Sequence, residues 1–251
     1  MPTTRELAGK VAVVTGSGRN IGRAVALDLA AAGAAVVVNA RANAAEADGV
    51  VKAIEQAGGK AAACLGDVAD PATAEKLAKT AIDRFGRLDI LVNNAALRRE
   101  RTFEQMSYDE WREVTGTILD GAFLCAKACV PHLKASGSGT LINIGGMSGH
   151  TGAKARAHVV TAKAGLVGLT KALAQELGDA KVTVNCVVPG FIETYHPERK
   201  TEPSHYQSNP NILGRKGTPE ELSGMVLYLC GPSARYVTGQ TFHMNGGAYL
   251  G

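Results

Sequence analysis

The sequence predicts an α/β fold, a doubly wound parallel sheet of Rossmann type with helices on both faces. Three observations lead there. Short β-branched runs alternate with helix-spaced segments from end to end, the runs are apolar on both faces, and a glycine-rich turn follows the first of them. Strands of that kind are buried between helix layers, and right-handed crossovers leave the doubly wound order as the default.

The expected strands are residues 11–15, 36–39, 90–92, 141–144 and 182–188, with a last one at 240–244. Leu27, Ala30 and Ala31 have helical spacing after the first strand, and Val50, Val51, Ile54 and Ala57 after the second. Leu77, Ala78, Ala81 and Phe85 mark a helix before the 90–92 strand. Long helices are expected at 109–134 and 162–177. The irregular stretch 189–217 holds Pro189, Pro197, Pro203 and Pro210 and reads as a substrate lid. No linker or repeat divides the chain, so residues 1–251 read as one dinucleotide-binding domain.

Composition excludes several classes. Lys+Arg is 27 against Asp+Glu 23, a net charge of +4 that argues against nucleic-acid binding. Hydrophobic residues are 45% and charged residues 20%, a soluble globular balance. Cys64, Cys125, Cys129, Cys186 and Cys230 contain no C-x-x-C pair, which points to reduced thiols, a cytoplasmic location and no metal site. No signal peptide opens the chain, and no uncharged apolar run approaches the ~18 residues of a membrane span.

Gly16, Gly18 and Gly22 join the first strand to a helix start. Such glycines let the backbone approach a pyrophosphate, which the helix N-terminus then binds. Where the second strand ends, a carboxylate would accept from adenosine ribose hydroxyls. This chain has Ala40 there, with Arg41 beside it and Arg19 in the turn. Two guanidinium groups favour a 2′-phosphate, so NADP (NADPH) is expected over NAD.

With Asp67-Val68, Asn93-Asn94-Ala95-Ala96, Lys163, Pro189-Gly190 and the Asn245-Gly246-Gly247 block, these residues resemble the short-chain dehydrogenase/reductase family, and its 3-oxoacyl-carrier-protein reductase-like members in particular. The resemblance implies a seven-stranded sheet. It also implies cofactor contacts from Gly16, Ser17, Arg19, Asn20, Ile21, Gly22, Arg41, Asp67, Val68, Asn94, Ala95, Lys163, Pro189, Gly190, Ile192 and Thr194. Asp67 and Val68 would meet adenine, Asn94 and Ala95 the ribose, and Ile192 and Thr194 the carboxamide. Asn20 replaces the turn's middle glycine, and asparagine tolerates left-handed backbone.

The family's catalytic tetrad is Asn-Ser-Tyr-Lys. Here Ile118 falls at the asparagine, Gly146 at the serine and Val159 at the tyrosine, and only Lys163 remains. Carbonyl reduction needs an acid for the developing alkoxide. On a helix, position 159 lies about 40° from 163 and position 158 about 140° away, so His158 takes the acid's role only if the helix starts after it. Thr161 points elsewhere. Ser148 and the lid residues Tyr195, His196, His205 and Tyr206 are further candidates. Arg98, Arg99, Arg101, His150, Lys154, Arg156, His196, Arg199, Lys200 and His205 surround the expected mouth and suggest a small anionic substrate.

Three readings stand at this point. One is an NADP-dependent oxidoreductase acting on a carbonyl or hydroxyl group with Lys163, and tentatively His158, as catalytic groups. Another is a non-redox lyase or hydratase, and the last a non-catalytic NADP-binding partner protein. The family implies a homo-oligomer, tetramer or dimer, through the two long helices and the last strand.

Overall fold

The computed structural model describes residues 5–194 and 211–251. Seven strands form one parallel sheet: β1 (Val11–Val14), β2 (Ala35–Ala40), β3 (Lys60–Leu65), β4 (Ile90–Asn93), β5 (Thr140–Ile144), β6 (Thr183–Pro189) and β7 (Thr241–Met244). Their order is β3-β2-β1-β4-β5-β6-β7. The winding reverses between β1 and β4. The crevice beyond their carboxyl ends is therefore the ligand position that open α/β sheets provide.

Alternation along each strand builds two cores. Ala12, Val14, Val36 and Val38 face α1 (Asn20–Ala31), α2 (Ala44–Gln56) and α8 (Pro219–Cys230). Val11, Val13, Ala35 and Val37 face α3 (Pro71–Phe85), α5 (Gly121–Ala135) and α7 (Ala157–Leu177). All five cysteines are free and buried.

Sequence reading missed β3. Its segment Lys60-Ala-Ala-Ala-Cys-Leu has no β-branched residue, and its strand character comes from pairing along β2. The single helix expected at 109–134 is instead α4 (Tyr108–Thr115) and α5, joined by a π-helical turn at Gly116–Asp120. This run is long and apolar enough to cross a membrane by length and composition, but more than half of it is buried in the fold, as in a core helix. The short α6 (Ser148–Thr151) follows β5, and α7 begins at Ala157, five residues before the expected 162. The β-branched Val159 and Val160 oppose helix locally, yet Val159 is buried with Val114, Ile118, Ala162 and Leu166, and packing overrides propensity. Lys163 therefore stands in the second turn of α7.

A buried polar ladder holds α7 to the sheet. Asn93 Nδ2 donates to Asn143 Oδ1 at 3.0 Å, Asn143 Nδ2 to Thr170 Oγ1 at 2.9 Å, and Thr170 Oγ1 to the Leu166 carbonyl at 2.7 Å. Replacing Asn143 with Leu strips the Asn93 amide of its best acceptor. The expected cost is about 1–3 kcal/mol, read as a lower urea midpoint at unchanged slope. An unchanged midpoint would show that the ladder contributes nothing to stability.

Candidate active site

The glycine turn sits at the carboxyl end of β1. Gly16 has φ 59° and Asn20 φ 50°, so the asparagine adopts the left-handed backbone expected of it. A Cβ on Gly16 would lie 2.9 Å from Ala95 Cα. One on Gly22 would lie 2.5 Å from Asn94 Nδ2 and 2.8 Å from Ser17 Cα, and closer still to the Gly16 carbonyl. α1 opens at Arg19, whose side chain caps none of the first-turn N–H groups. A cradle with no room for a side chain at Gly16 or Gly22, at a helix N-terminus, fits a pyrophosphate.

Several residues expected to touch the cofactor hold the cradle itself. Asn94 Nδ2 donates to the Thr15 and Gly16 carbonyls at 2.9 and 3.0 Å. Thr15 Oγ1 accepts from the N–H groups of Asn94 and Ala95. Ser17, fully buried, donates to the Val14 carbonyl and accepts from Asn39 N–H. Asn39 was missed. Its Oδ1 accepts from Gly16 N–H at 3.0 Å, while its Nδ2 donates to the carbonyls of Cys64 and Gly66. The available signal was a lone amide at the end of an otherwise apolar strand, a position where burial demands partners. Ile21 is a core residue, and Val68 is buried where Gly121 leaves room for it.

At the ribose end, both expected arginines already have acidic neighbours. Arg19 is 3.7 Å from Glu46. Arg41 is 3.7 Å from Glu113 and 4.0 Å from Asp67. Glu113 also holds Arg99 through two short contacts, 2.5 and 2.9 Å, and Arg101 pairs with Glu110 at 3.0 Å. The basic mouth is thus smaller than the cation count suggested. α4 supplies carboxylates to Arg99 and Arg101. His150 lies elsewhere, against His243 and Tyr249.

Lys163 is 8% exposed and donates from Nζ to the Ile144 carbonyl at 2.5 Å. Gly146 lies over its stem, where a Cβ would meet Lys163 Cγ at 3.3 Å. Val159 is one turn earlier on the same helix face, packed in the cluster that contains Ile118. Burial, with the charges of Arg98 and Arg156 against it and Cys186 in its favour, brings the Lys163 ammonium down to about 7. Arg156, one of the cations expected around the mouth, is itself buried.

His158 lies within α7, so the condition for its acid role, a helix starting after it, is not met. It is fully buried. Its Nδ1 lies 2.9 Å from Val159 N–H and accepts from it. Burial, opposed by the Arg156 backbone, lowers its pKa. The other charges felt there are Arg156, Glu110 and Arg99, not Lys163.

The stretch 189–217 leaves and returns at one point. Ile192 bridges Gly217, Gly217 N–H donates to the Phe191 carbonyl, and Glu193 N–H donates to the Gly217 carbonyl. Pro189 ends β6, and Gly190 fits against Asn245, whose Cα a Cβ would meet at 2.6 Å. Thr194 closes the described part. Tyr195, His196, Arg199, Lys200, His205 and Tyr206 lie outside the described residues.

A seven-stranded parallel sheet with a glycine cradle at its switch point defines a Rossmann-type α/β protein. A family model described as Enoyl-(Acyl carrier protein) reductase matches residues 16–249. A 3-oxoacyl-[acyl-carrier-protein] reductase of Synechocystis is 43% identical over 245 residues, covering 97% of this chain and 98% of the relative. One of Staphylococcus aureus is 38% identical over 242 residues, 96% of this chain and 98% of that one. Among solved structures, a dehydrogenase/reductase from Sinorhizobium meliloti superposes with TM-score 0.92 at 34% identity, covering 99% of this chain and 98% of its own. A short-chain dehydrogenase from Burkholderia cenocepacia in complex with NADP gives 0.90 at 30%, covering 97% and 99%. The chain belongs to the short-chain dehydrogenase/reductase family, as an oxidoreductase of that type.

Proposed function

We propose that the protein is an NADP-dependent reductase of a small anionic carbonyl compound in which Lys163 itself supplies the proton. The observation that carries this reading is the pairing of an intact glycine cradle with a buried lysine whose expected catalytic neighbours, Val159, Gly146 and Ile118, have no proton to give. NADPH, when bound, supplies the hydride. Gly16, Gly22 and the first turn of α1 would hold its pyrophosphate, Arg19 and Arg41 its 2′-phosphate, and Lys163 the nicotinamide ribose. The other cofactor contacts are carried over at Asp67, Val68, Ala95, Pro189, Gly190, Ile192 and Thr194.

Lys163 Nζ releases its proton to the developing alkoxide and regains one from solvent. Arg98 and Arg156 attract the substrate anion. With the ammonium near 7, turnover falls as pH rises through that value. His158, on another face of α7, is outside the proton path, so His158→Ala keeps both turnover and its pH profile. A panel of 3-oxoacyl thioesters and 3-oxo acids with NADPH, followed by absorbance, tests this. Turnover that is brisk on neutral ketones and flat between pH 6 and 9 overturns it. Val159 and Gly146, which bring neither a phenol nor a hydroxyl to those two positions, favour the second reading, a lyase or hydratase, and total lack of NADPH oxidation would move it to first place.

Arg41→Asp tests the cofactor half. Wild type should bind NADPH more tightly than NADH, although the phosphate must displace Glu113 and Asp67 from Arg41. The variant adds a third carboxylate there, and the preference should narrow ten-fold or invert, measured by calorimetry. Equal NADH and NADPH affinity in wild type would remove the NADP assignment. Assembly as a homo-oligomer is proposed through α5 and α7, where Phe123, Ala164, Gly168 and Ala172 are exposed.

A further inference from the structure

We propose that Lys163 is also a nucleophilic amine that captures the ketone of a 3-oxo acid as an imine when no cofactor is bound. The inference uses the same site as the proposed function but not its redox step.

The geometry is that of a carbonyl-trapping lysine. The side chain is buried, its stem is fixed against Gly146, and its head is anchored on the Ile144 carbonyl. That carbonyl accepts one of the amine hydrogens, a bond that does not use the nitrogen lone pair. Desolvation and the nearby positive charges of Arg98 and Arg156 oppose protonation, the arrangement that activates lysine amines towards carbonyls. An exposed lysine near neutral pH is almost wholly ammonium, whereas Lys163, titrating at about 7, is close to half amine.

The chain's departures from its family point the same way. A tyrosine at 159 would place a phenol one turn from this nitrogen; Val159 leaves an apolar wall. A serine at 146 would place a hydroxyl over the stem; Gly146 leaves none. Arg98 and Arg156 add the positive charge that would hold a carboxylate beside the ketone.

The step balances without a redox partner. Nζ adds to the ketone carbon and forms an N–C bond. The carbonyl oxygen becomes a hydroxyl and then leaves as water, carrying away in net the two amine hydrogens. The imine takes a proton from solvent to become the iminium, and water reverses the sequence to release the substrate unchanged.

The test is reductive trapping on the full chain without cofactor. The protein is incubated at pH 7.5 with acetoacetate and sodium cyanoborohydride, and labelled peptides are mapped by mass. The expected result is one adduct per chain at Lys163, at least ten-fold above any exposed lysine, rising with pH through about 7 and absent from Lys163→Arg. Acetone at the same concentration should label at least ten-fold less, because it has no carboxylate for the cations to hold. Labelling spread evenly over surface lysines, or no labelling while NADPH still binds, overturns the imine and leaves the reductase reading intact. Equal labelling by acetone overturns the 3-oxo-acid class. Trapping that proceeds undiminished under saturating NADPH overturns the restriction to the cofactor-free state and removes Lys163 from the cofactor ribose, so the two readings fail separately.

Discussion

Lys163→Met weakens NADPH binding ten-fold or more and abolishes reduction, while raising the melting temperature at pH 6.5. The methionine keeps an unbranched apolar stem against Gly146 but has no charge and no donors. A hydrogen bond from a charged donor contributes about 1.5–3 kcal/mol, so losing even one from the ribose exceeds the ~1.4 kcal/mol that corresponds to a factor of ten. Stability should move the other way. The folded lysine titrates at about 7 and the unfolded one at 10.5. Below 7 both states carry the charge, and the folded state bears the full cost of burying it. Between those values the unfolded chain binds more protons, so wild-type stability rises with pH across the window. The variant lacks that slope. Its advantage in melting temperature is largest at or below pH 7 and shrinks towards pH 10. A wild-type advantage at pH 6.5, or parallel pH profiles, would mean that the ammonium is not buried as described.

Gly22→Ala should cost about 1–3 kcal/mol of stability and lower NADPH affinity at least a hundred-fold. The added Cβ meets the Gly16 carbonyl, the Ser17 Cα and the Asn94 amide. Two of these are backbone, and the third already donates to Thr15 and Gly16, so none gives way without opening the cradle. Gly49→Ala on α2 is the control. A Cβ there meets nothing within 4 Å, so the helix gains about 0.5–1 kcal/mol and NADPH binding is unchanged. Calorimetric titration of both variants decides the matter. Wild-type affinity in Gly22→Ala would place the pyrophosphate away from this turn.

Much of this protein is legible along the chain because its signals are local. Five of the seven strands follow from short β-branched runs. The cradle follows from Gly16, Gly18 and Gly22 standing just after the first of them. That a valine stands four residues before Lys163 is likewise read directly from the chain. β3 escaped because alanines carry no local strand preference, and only the edge of β2 makes Lys60–Leu65 a strand. Position along the chain thus determined the fold class and the place of the glycine turn.

Tertiary structure decided the rest, because burial and charge pairing join residues far apart in sequence. Arg41 and Arg99 read alike as free cations, yet both converge on Glu113, more than seventy residues beyond Arg41. His158 adjoins Val159 in sequence, but packing of Val159 against Ile118 starts α7 at Ala157 and turns the imidazole away from Lys163. Asn39 became a cradle residue only when β1, β2 and β3 lined up beneath the glycine turn. Lys163 is singled out in sequence only by the family's motif, which says nothing of its titration. Burial beside Arg98 and Arg156 gives it a titration near neutrality, since desolvation depends on what the fold packs around a group rather than on what precedes it in the chain.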